Sequence, residues 1–184
     1  TTVLSGSSSI YCEHGWYNTI TDIASFNKNA RIYDGSTYLT GDSLHYEREG
    51  QYGEAFRQVM IHDTVENSIV TGDYGEYFGD QDSSYVTGEP LYTLIDEEQD
   101  SLHIHGDTLY TIQRQDTNGT KYSLVRIFYG VKIYRESLQG KCDSLSYSTL
   151  DSTFKMYKDP LMWDDSTQIV GDTIYLHTRN KQPD

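Results

Sequence analysis

Four groups of residues have types and spacings that could do chemistry. His103-Ile104-His105 puts two imidazoles on one face of a strand, as a zinc pair would stand. Asp80-Gln81-Asp82-Ser83-Ser84 offers oxygen ligands at alternating positions, as calcium loops do. Asn118-Gly119-Thr120 fits a glycosylation acceptor, and Gly-Asp pairs recur along the chain in a way that could suggest glycosidase carboxylates. Each has a plainer reading. No further Cys or His stands near the histidine pair in sequence, and the acidic loop lacks the internal Gly and terminal Glu of an EF-hand. Asn-Gly is the favoured two-residue hairpin turn of type I′. An active site needs one distinctive pair of carboxylates, whereas a periodic Asp is what turns need, because its side chain accepts nearby backbone N–H bonds. No Ser–His–Asp order, phosphate loop or Gly-x-Gly-x-x-Gly can be assembled. No catalytic residue, metal ligand or cofactor is therefore expected, and the chain is not read as an enzyme.

The Gly-Asp recurrence is better read as a repeat. Gly41-Asp42-Ser43-Leu44-His45-Tyr46 is echoed by Gly106-Asp107-Thr108-Leu109, by Cys142-Asp143-Ser144-Leu145-Ser146-Tyr147 and by Gly171-Asp172-Thr173-Ile174. Weaker copies begin at Cys12-Glu13 and Gly72-Asp73. A second element falls between them: Ala30-Arg31-Ile32-Tyr33, Val59-Met60-Ile61-His62, Pro90-Leu91-Tyr92, Val131-Lys132-Ile133-Tyr134 and Pro160-Leu161-Met162-Trp163. The unit is about thirty residues long.

Both elements alternate with period two, the strand signature, and are rich in Thr, Tyr, Val and Ile, which favour strands. Asp34-Gly35, Glu49-Gly50 and Asn118-Gly119 punctuate them. Residues 18–30 lack a cap and a sustained apolar stripe, so they read as strand and turn rather than helix. A unit this short cannot close its own core, so neighbours must stack. The expected fold is all-β: two stacked walls whose apolar faces meet along a continuous inner seam. Cys12 and Cys142 hold the same repeat phase four repeats apart, roughly 19 Å at one strand step of about 4.8 Å per repeat. That exceeds the reach of a disulfide, about 7 Å between Cα atoms, so no bridge between them is expected.

Composition agrees. The 184 residues are only 36% hydrophobic but include 17 tyrosines. A tyrosine buries apolar area while its hydroxyl stays wet, which suits a half-open architecture. With 28 acidic against 14 basic residues the net charge is −14. That argues against a nucleic-acid binder and against a polybasic membrane-surface binder. No apolar run approaches the length of a membrane-spanning helix. The opening Thr1-Thr2-Val3 carries no Met, which reads as a trimmed chain.

Three further segments accompany the repeat: Ala55-Phe56-Arg57-Gln58-Val59, Ile69-Val70-Thr71-Gly72-Asp73-Tyr74-Gly75-Glu76-Tyr77 and Val86-Thr87-Gly88-Glu89-Pro90-Leu91. Together they resemble the OstA-like (LptA-type) family of lipopolysaccharide transport in Gram-negative bacteria. Gly140-Lys141-Cys142-Asp143-Ser144-Leu145 and Gly171-Asp172-Thr173-Ile174 resemble its variant in the Bacteroides group. The resemblance covers about residues 10–180. It implies one domain over 1–184, an open β-jellyroll of V-shaped antiparallel sheets, with five to six repeats and a truncated sixth. It also implies a periplasmic, non-catalytic protein whose apolar groove takes the acyl chains of lipid A within a bridge from inner to outer membrane. LptC-like and LptD-like proteins would be its partners, with end-to-end homo-oligomers through strand addition.

The residues expected to line that groove are Ile32, Leu44, Tyr46, Val59, Ile61, Leu91, Leu109, Val131, Ile133, Leu145, Tyr147, Leu161 and Ile174. Burying a methylene is worth roughly 0.8 kcal/mol without directionality, so a chain held there could slide between repeats. The plainer alternative is that these side chains pack on one another and leave no groove. A stack also has an unpaired strand at each end, a template for another chain; Thr178-Arg179-Asn180-Lys181 could blunt the C-terminal one. The runner-up function is a scaffolding β-solenoid that binds proteins through those edges.

Overall fold

A computed structural model describes residues 2–5, 8–34, 36–179 and 182–183. Among the described residues eighteen strands follow one another. They are β1 (Thr2–Ser5), β2 (Ser8–Tyr11), β3 (His14–Asn18), β4 (Ile23–Asp34), β5 (Thr37–Glu47) and β6 (Tyr52–Asp63). Then come β7 (Ser68–Phe78), β8 (Ser83–Thr87), β9 (Leu91–Ile95), β10 (Ser101–His105), β11 (Thr108–Gln115) and β12 (Lys121–Tyr134). The last are β13 (Leu138–Ser148), β14 (Thr153–Tyr157), β15 (Leu161–Asp164), β16 (Thr167–Val170), β17 (Thr173–Arg179) and β18 (Gln182–Pro183). The only helical element among the described residues is one 3-10 turn, Gly79–Gln81. Residues 19–22 form a turn and β4 begins at Ile23, as the sequence suggested.

Every pairing is antiparallel, and the register sorts the strands into two walls. Wall I pairs β3 with residues 23–27 of β4, and continues through 43–47, 52–56 and 74–78 to β8, β11, 121–128 of β12, 144–148 of β13, β14 and β17. Wall II runs from β1 and β2 through 30–34, 37–40, 59–63 and 68–72 to β9, β10, 131–134 of β12, 138–142 of β13, β15 and β16. The chain meanders between them, and each thirty-residue unit is one pass out and one pass back.

The two directions of crossing use different devices. Passing from wall I to wall II, the backbone takes two consecutive residues into the left-handed region: Lys28-Asn29, Arg57-Gln58, Gly88-Glu89, Tyr129-Gly130 and Lys158-Asp159. Each pair lies immediately before a copy of the second sequence element. At 27/30, 56/59 and 128/131 it sits within a continuous strand, where the register shifts. Such a bulge bends a strand sharply, so β4, β6 and β12 each serve both walls. Passing back from wall II to wall I, the chain crosses at the Gly-Asp or Cys-acid pair.

The acid faces the left-handed corner of the neighbouring pass. Its N–H donates to that corner's carbonyl from Glu13 to Lys28 at 3.2 Å, from Asp73 to Gly88 at 3.0 Å and from Asp143 to Lys158 at 3.3 Å. Its carboxylate pairs with the corner's base where one is present: Glu13–Lys28 at 2.8 Å, Asp42–Arg57 at 3.3 Å and Asp143–Lys158 at 3.2 Å. The Lys28 ammonium holds the Glu13 carboxyl below its ordinary range, and Lys158 does the same for Asp143. What these exposed pairs contribute is present at neutral pH and lost as acid protonates the carboxylates, and it is small in magnitude. The periodic acid is thus a corner residue rather than a hairpin-turn residue.

The hairpin at Asn118-Gly119 also differs from the expected type I′ turn, in which both central residues have positive φ. Only Gly119 is left-handed there, at φ +87°. Asp116 organises a longer loop instead, accepting from the N–H groups of Asn118 at 2.9 Å and Thr120 at 2.7 Å.

Candidate functional site

The seam between the walls is built from rows of side chains that run across the strands. On wall II the inner row passes from Ile10 to Ile32, Leu39, Ile61, Val70 and Tyr92, then to Ile104, Ile133, Gly140 and Met162. Facing it on wall I is the row Phe26, Leu44, Ala55, Gly75, Val86 and Leu109, continued by Ile127, Leu145, Met156 and Ile174. A second wall I row lies farther from the corners: Ala24, Tyr46, Gly53, Tyr77, Ser84 and Thr111, then Val125, Tyr147, Phe154 and Leu176. Tyr46 and Tyr147 share this row, as the common repeat phase requires.

Occupancy changes along the seam. From Val70 onward the two walls close into one core that includes Tyr92, Leu94, Leu102 and Ile104 of wall II and Val125, Tyr147, Phe154 and Leu176 of wall I. The Tyr147 and Phe154 rings stack with centroids 4.1 Å apart. Burial pushes the Tyr147 phenol up to about 12 and raises that of Tyr92 as well.

Toward the N-terminus a smaller cluster hugs the corner: Cys12, Ala24, Phe26, Ala30, Leu44, Ala55 and Val59. Ile10, Ile32, Leu39, Tyr46 and Ile61 flank it, only half-buried although they face inward. In the first wall I row Ala55 and Gly75 stand where the larger Val86, Leu109 and Ile127 follow, and in the second row Ala24 and Gly53 stand where Val125, Tyr147 and Phe154 follow. The seam is therefore packed shut in its C-terminal half, while in its N-terminal part a row of inward apolar side chains is only half-buried.

Of the residues expected to line a groove, Leu44, Val59, Leu109, Val131, Ile133, Leu145, Tyr147 and Ile174 are inward and buried. Ile32, Tyr46 and Ile61 are inward and half-buried. Leu91 and Leu161 stand on the outer face, contrary to expectation. Leu91 pairs between Thr71 and His105, and Leu161 between Lys141 and Val170. Their place in the repeat is that of Arg31, Met60 and Lys132, and the buried Pro90 and Pro160 take the inward corner position. Ile10, Leu39, Val70 and Tyr92 were not singled out from sequence. Register with Ile32 and Ile61 is what places them on the inner face, and their own local alternation was the available signal.

The other candidates dissolve into structure. His103 Nδ1 lies 3.0 Å from Thr93 Oγ1, and His105 Nδ1 lies 3.1 Å from the Pro90 carbonyl oxygen. Asp80-Gln81 forms the 3-10 turn. No group of three or more metal-ligating side chains occurs among the described residues. Cys12 and Cys142 are buried in separate clusters. Burial pushes the Cys142 thiol up to about 11, so at pH 8 roughly one in a thousand is thiolate, the reactive form. Cys142 should therefore resist iodoacetamide in the folded protein and be alkylated rapidly in denaturant, a contrast that mass spectrometry can read.

Two family models divide the chain between them. One, described as an OstA-like protein, matches residues 5–89. The other, described as LptA/(LptD N-terminal domain) LPS transport protein, matches residues 95–182. The chain belongs to the OstA-like, LptA-type family. This OstA-like chain is also similar to a solved structure titled as LptH, the LptA-homologous periplasmic component of the lipopolysaccharide transport device of Pseudomonas aeruginosa. That match has 10% identity and a TM-score of 0.39, and covers 94% of this chain and 95% of that one. No curated protein sequence matches. Members of the family are transport components rather than catalysts. β8 of the first matched segment pairs with β11 of the second.

Proposed function

We propose that this OstA-like chain carries lipopolysaccharide through the periplasm, holding lipid A acyl chains against the apolar strip between its walls. The observation that carries the reading is the inward but half-buried run Ile10, Ile32, Leu39 and Ile61, continuous across neighbouring strands. Each methylene laid on such a strip gains roughly 0.8 kcal/mol when fully covered. The attraction has no preferred register, so a chain can move along the strip. Family membership supports the lipopolysaccharide as the ligand.

Partners of like fold, LptC-like and LptD-like, would continue the strip beyond its N-terminal end and stack on the closed seam at the other. β3 is exposed along its whole length, and so is β16. Among the described residues β3 pairs only with β4 and β16 only with β15, which leaves each an edge suited to strand addition and also permits end-to-end copies of this chain. At the C-terminal end Asn180 and Lys181 lie outside the described residues.

Ile61→Arg places a charge on the strip at a half-buried position. It should reduce photo-crosslinking to lipid A at least tenfold while the circular dichroism spectrum stays that of the wild type. Undiminished crosslinking in a folded Ile61→Arg protein would refute the acyl-chain role.

A further inference from the structure

The outer face of wall II carries a cavity at its far rim. The loops joining β12 to β13 and β15 to β16 enclose an open cavity of about 630 Å³ lined by Glu136, Ser137, Gln139, Trp163, Asp165 and Ser166. Its composition is one indole, two carboxylates, an amide and two hydroxyls. Trp163 is 37% exposed and forms the apolar part of that lining. Cross-strand register puts Tyr134, Gln139 and Trp163 side by side on the outer face, with Tyr134 57% exposed. Two strand steps of about 4.8 Å separate the two aromatic residues, close to the length of a disaccharide.

The row beside it holds Lys132 and Lys141, directly opposite one another and both exposed. In a chain of net charge −14, the outward strand positions of β9, β10, β15, β16 and the wall II parts of β12 and β13 carry no carboxylate. The carboxylates of the site, Glu136 and Asp165, belong to its loops, whereas the outward strand residues paired with the two lysines, His105 and Leu161, are not acidic, so an anion would be met on the strand side.

We infer that this rim binds an oligosaccharide bearing acidic substituents. Trp163 and Tyr134 supply ring faces for sugar C–H groups, and Gln139, Ser137, Ser166 and the two carboxylates exchange hydrogen bonds with hydroxyls. Lys132 and Lys141 meet phosphate or carboxylate groups. The inference rests on the proposed function for its biological ligand, since the saccharide part of a lipopolysaccharide has this chemistry. It concerns a different surface from the strip, however, and the two can be tested apart.

The test titrates the full chain with acyl-free core oligosaccharide released from lipopolysaccharide, and separately with a neutral dextran fragment. Wild type and Ile61→Arg should bind the core oligosaccharide equally. Trp163→Ala and Tyr134→Ala should each weaken it at least tenfold while leaving lipid A crosslinking intact. Lys132→Gln/Lys141→Gln should abolish the preference for core oligosaccharide over dextran. Gln139→Ala, at an exposed position, should weaken binding with an unchanged melting temperature, which guards against a folding defect in the aromatic variants. Absence of binding by the wild type, or binding that Trp163→Ala and Tyr134→Ala leave unchanged, overturns the inference; lipid A crosslinking would then still decide the proposed function by itself.

Discussion

Replacing Arg135 with leucine should cost the protein about 3–5 kcal/mol, the range for removing one partner of a buried ion pair. Arg135 follows β12, and its side chain is 8% exposed. Its Nη2 donates to Asp96 Oδ2 at 2.6 Å and its Nε to Asp100 Oδ2 at 2.7 Å. The Asp96 side chain is 1% exposed. Asp96 also caps its own loop, accepting from the N–H groups of Glu98 at 2.8 Å and Asp100 at 3.0 Å. With leucine at 135, that carboxylate keeps its burial and loses its counter-charge. Arg135→Leu should lower the melting temperature by roughly 6–20 °C, given about 2–4 °C per kcal/mol for a chain of this size. Adding Asp96→Asn, which removes the stranded charge, should return part of the loss. A double variant that melts below Arg135→Leu would show that the stabilisation comes from something other than the ion pair.

The second large effect is steric and differs between copies of one motif. A Cβ on Gly106 would lie 2.4 Å from Ile127 Cγ2 and 3.1 Å from the Phe128 carbonyl oxygen. One on Gly171, at the same repeat position, would meet nothing closer than the Thr173 carbonyl oxygen at 3.5 Å. Gly106→Ala should therefore destabilise by about 1–3 kcal/mol, the usual cost of forcing a methyl into a packed core. Gly171→Ala should fall within about 0.5 kcal/mol of wild type. Denaturant titration of the two variants separates this from a general need for glycine; equal midpoints would refute it.

This contrast marks how far the sequence could be read. The repeat, the strands, the inward phase of Leu44, Ile61, Leu109 and Leu145, and the shared row of Tyr46 and Tyr147 all follow from period-two alternation, which a strand cannot hide. Leu91 and Leu161 were misplaced by residue type although their repeat position already pointed outward. The left-handed corners left no trace, because only Gly88 and Gly130 among their ten residues are glycine. Lys28, Arg57, Tyr129 and Lys158 adopt that conformation because the surrounding ladder imposes it, at a cost of roughly 1 kcal/mol each. Whether the seam is open or shut was equally invisible. It depends on which side chain of one wall meets which of the other, as where Gly53 is replaced farther along its row by Tyr147. Arg135, Asp96 and Asp100 meet only after β9, β10 and β12 have paired.

The alternation of two unlike crossings constrains how such a chain can lengthen. A left-handed pair carries it outward to the second wall and an acid-bearing step brings it home, so each must be followed by the other. Gaining or losing a lone pass would deliver every later strand to the wrong side, greasy faces outward. Growth and loss must therefore come in even numbers, and the thirty-residue period is the smallest increment that keeps this parity.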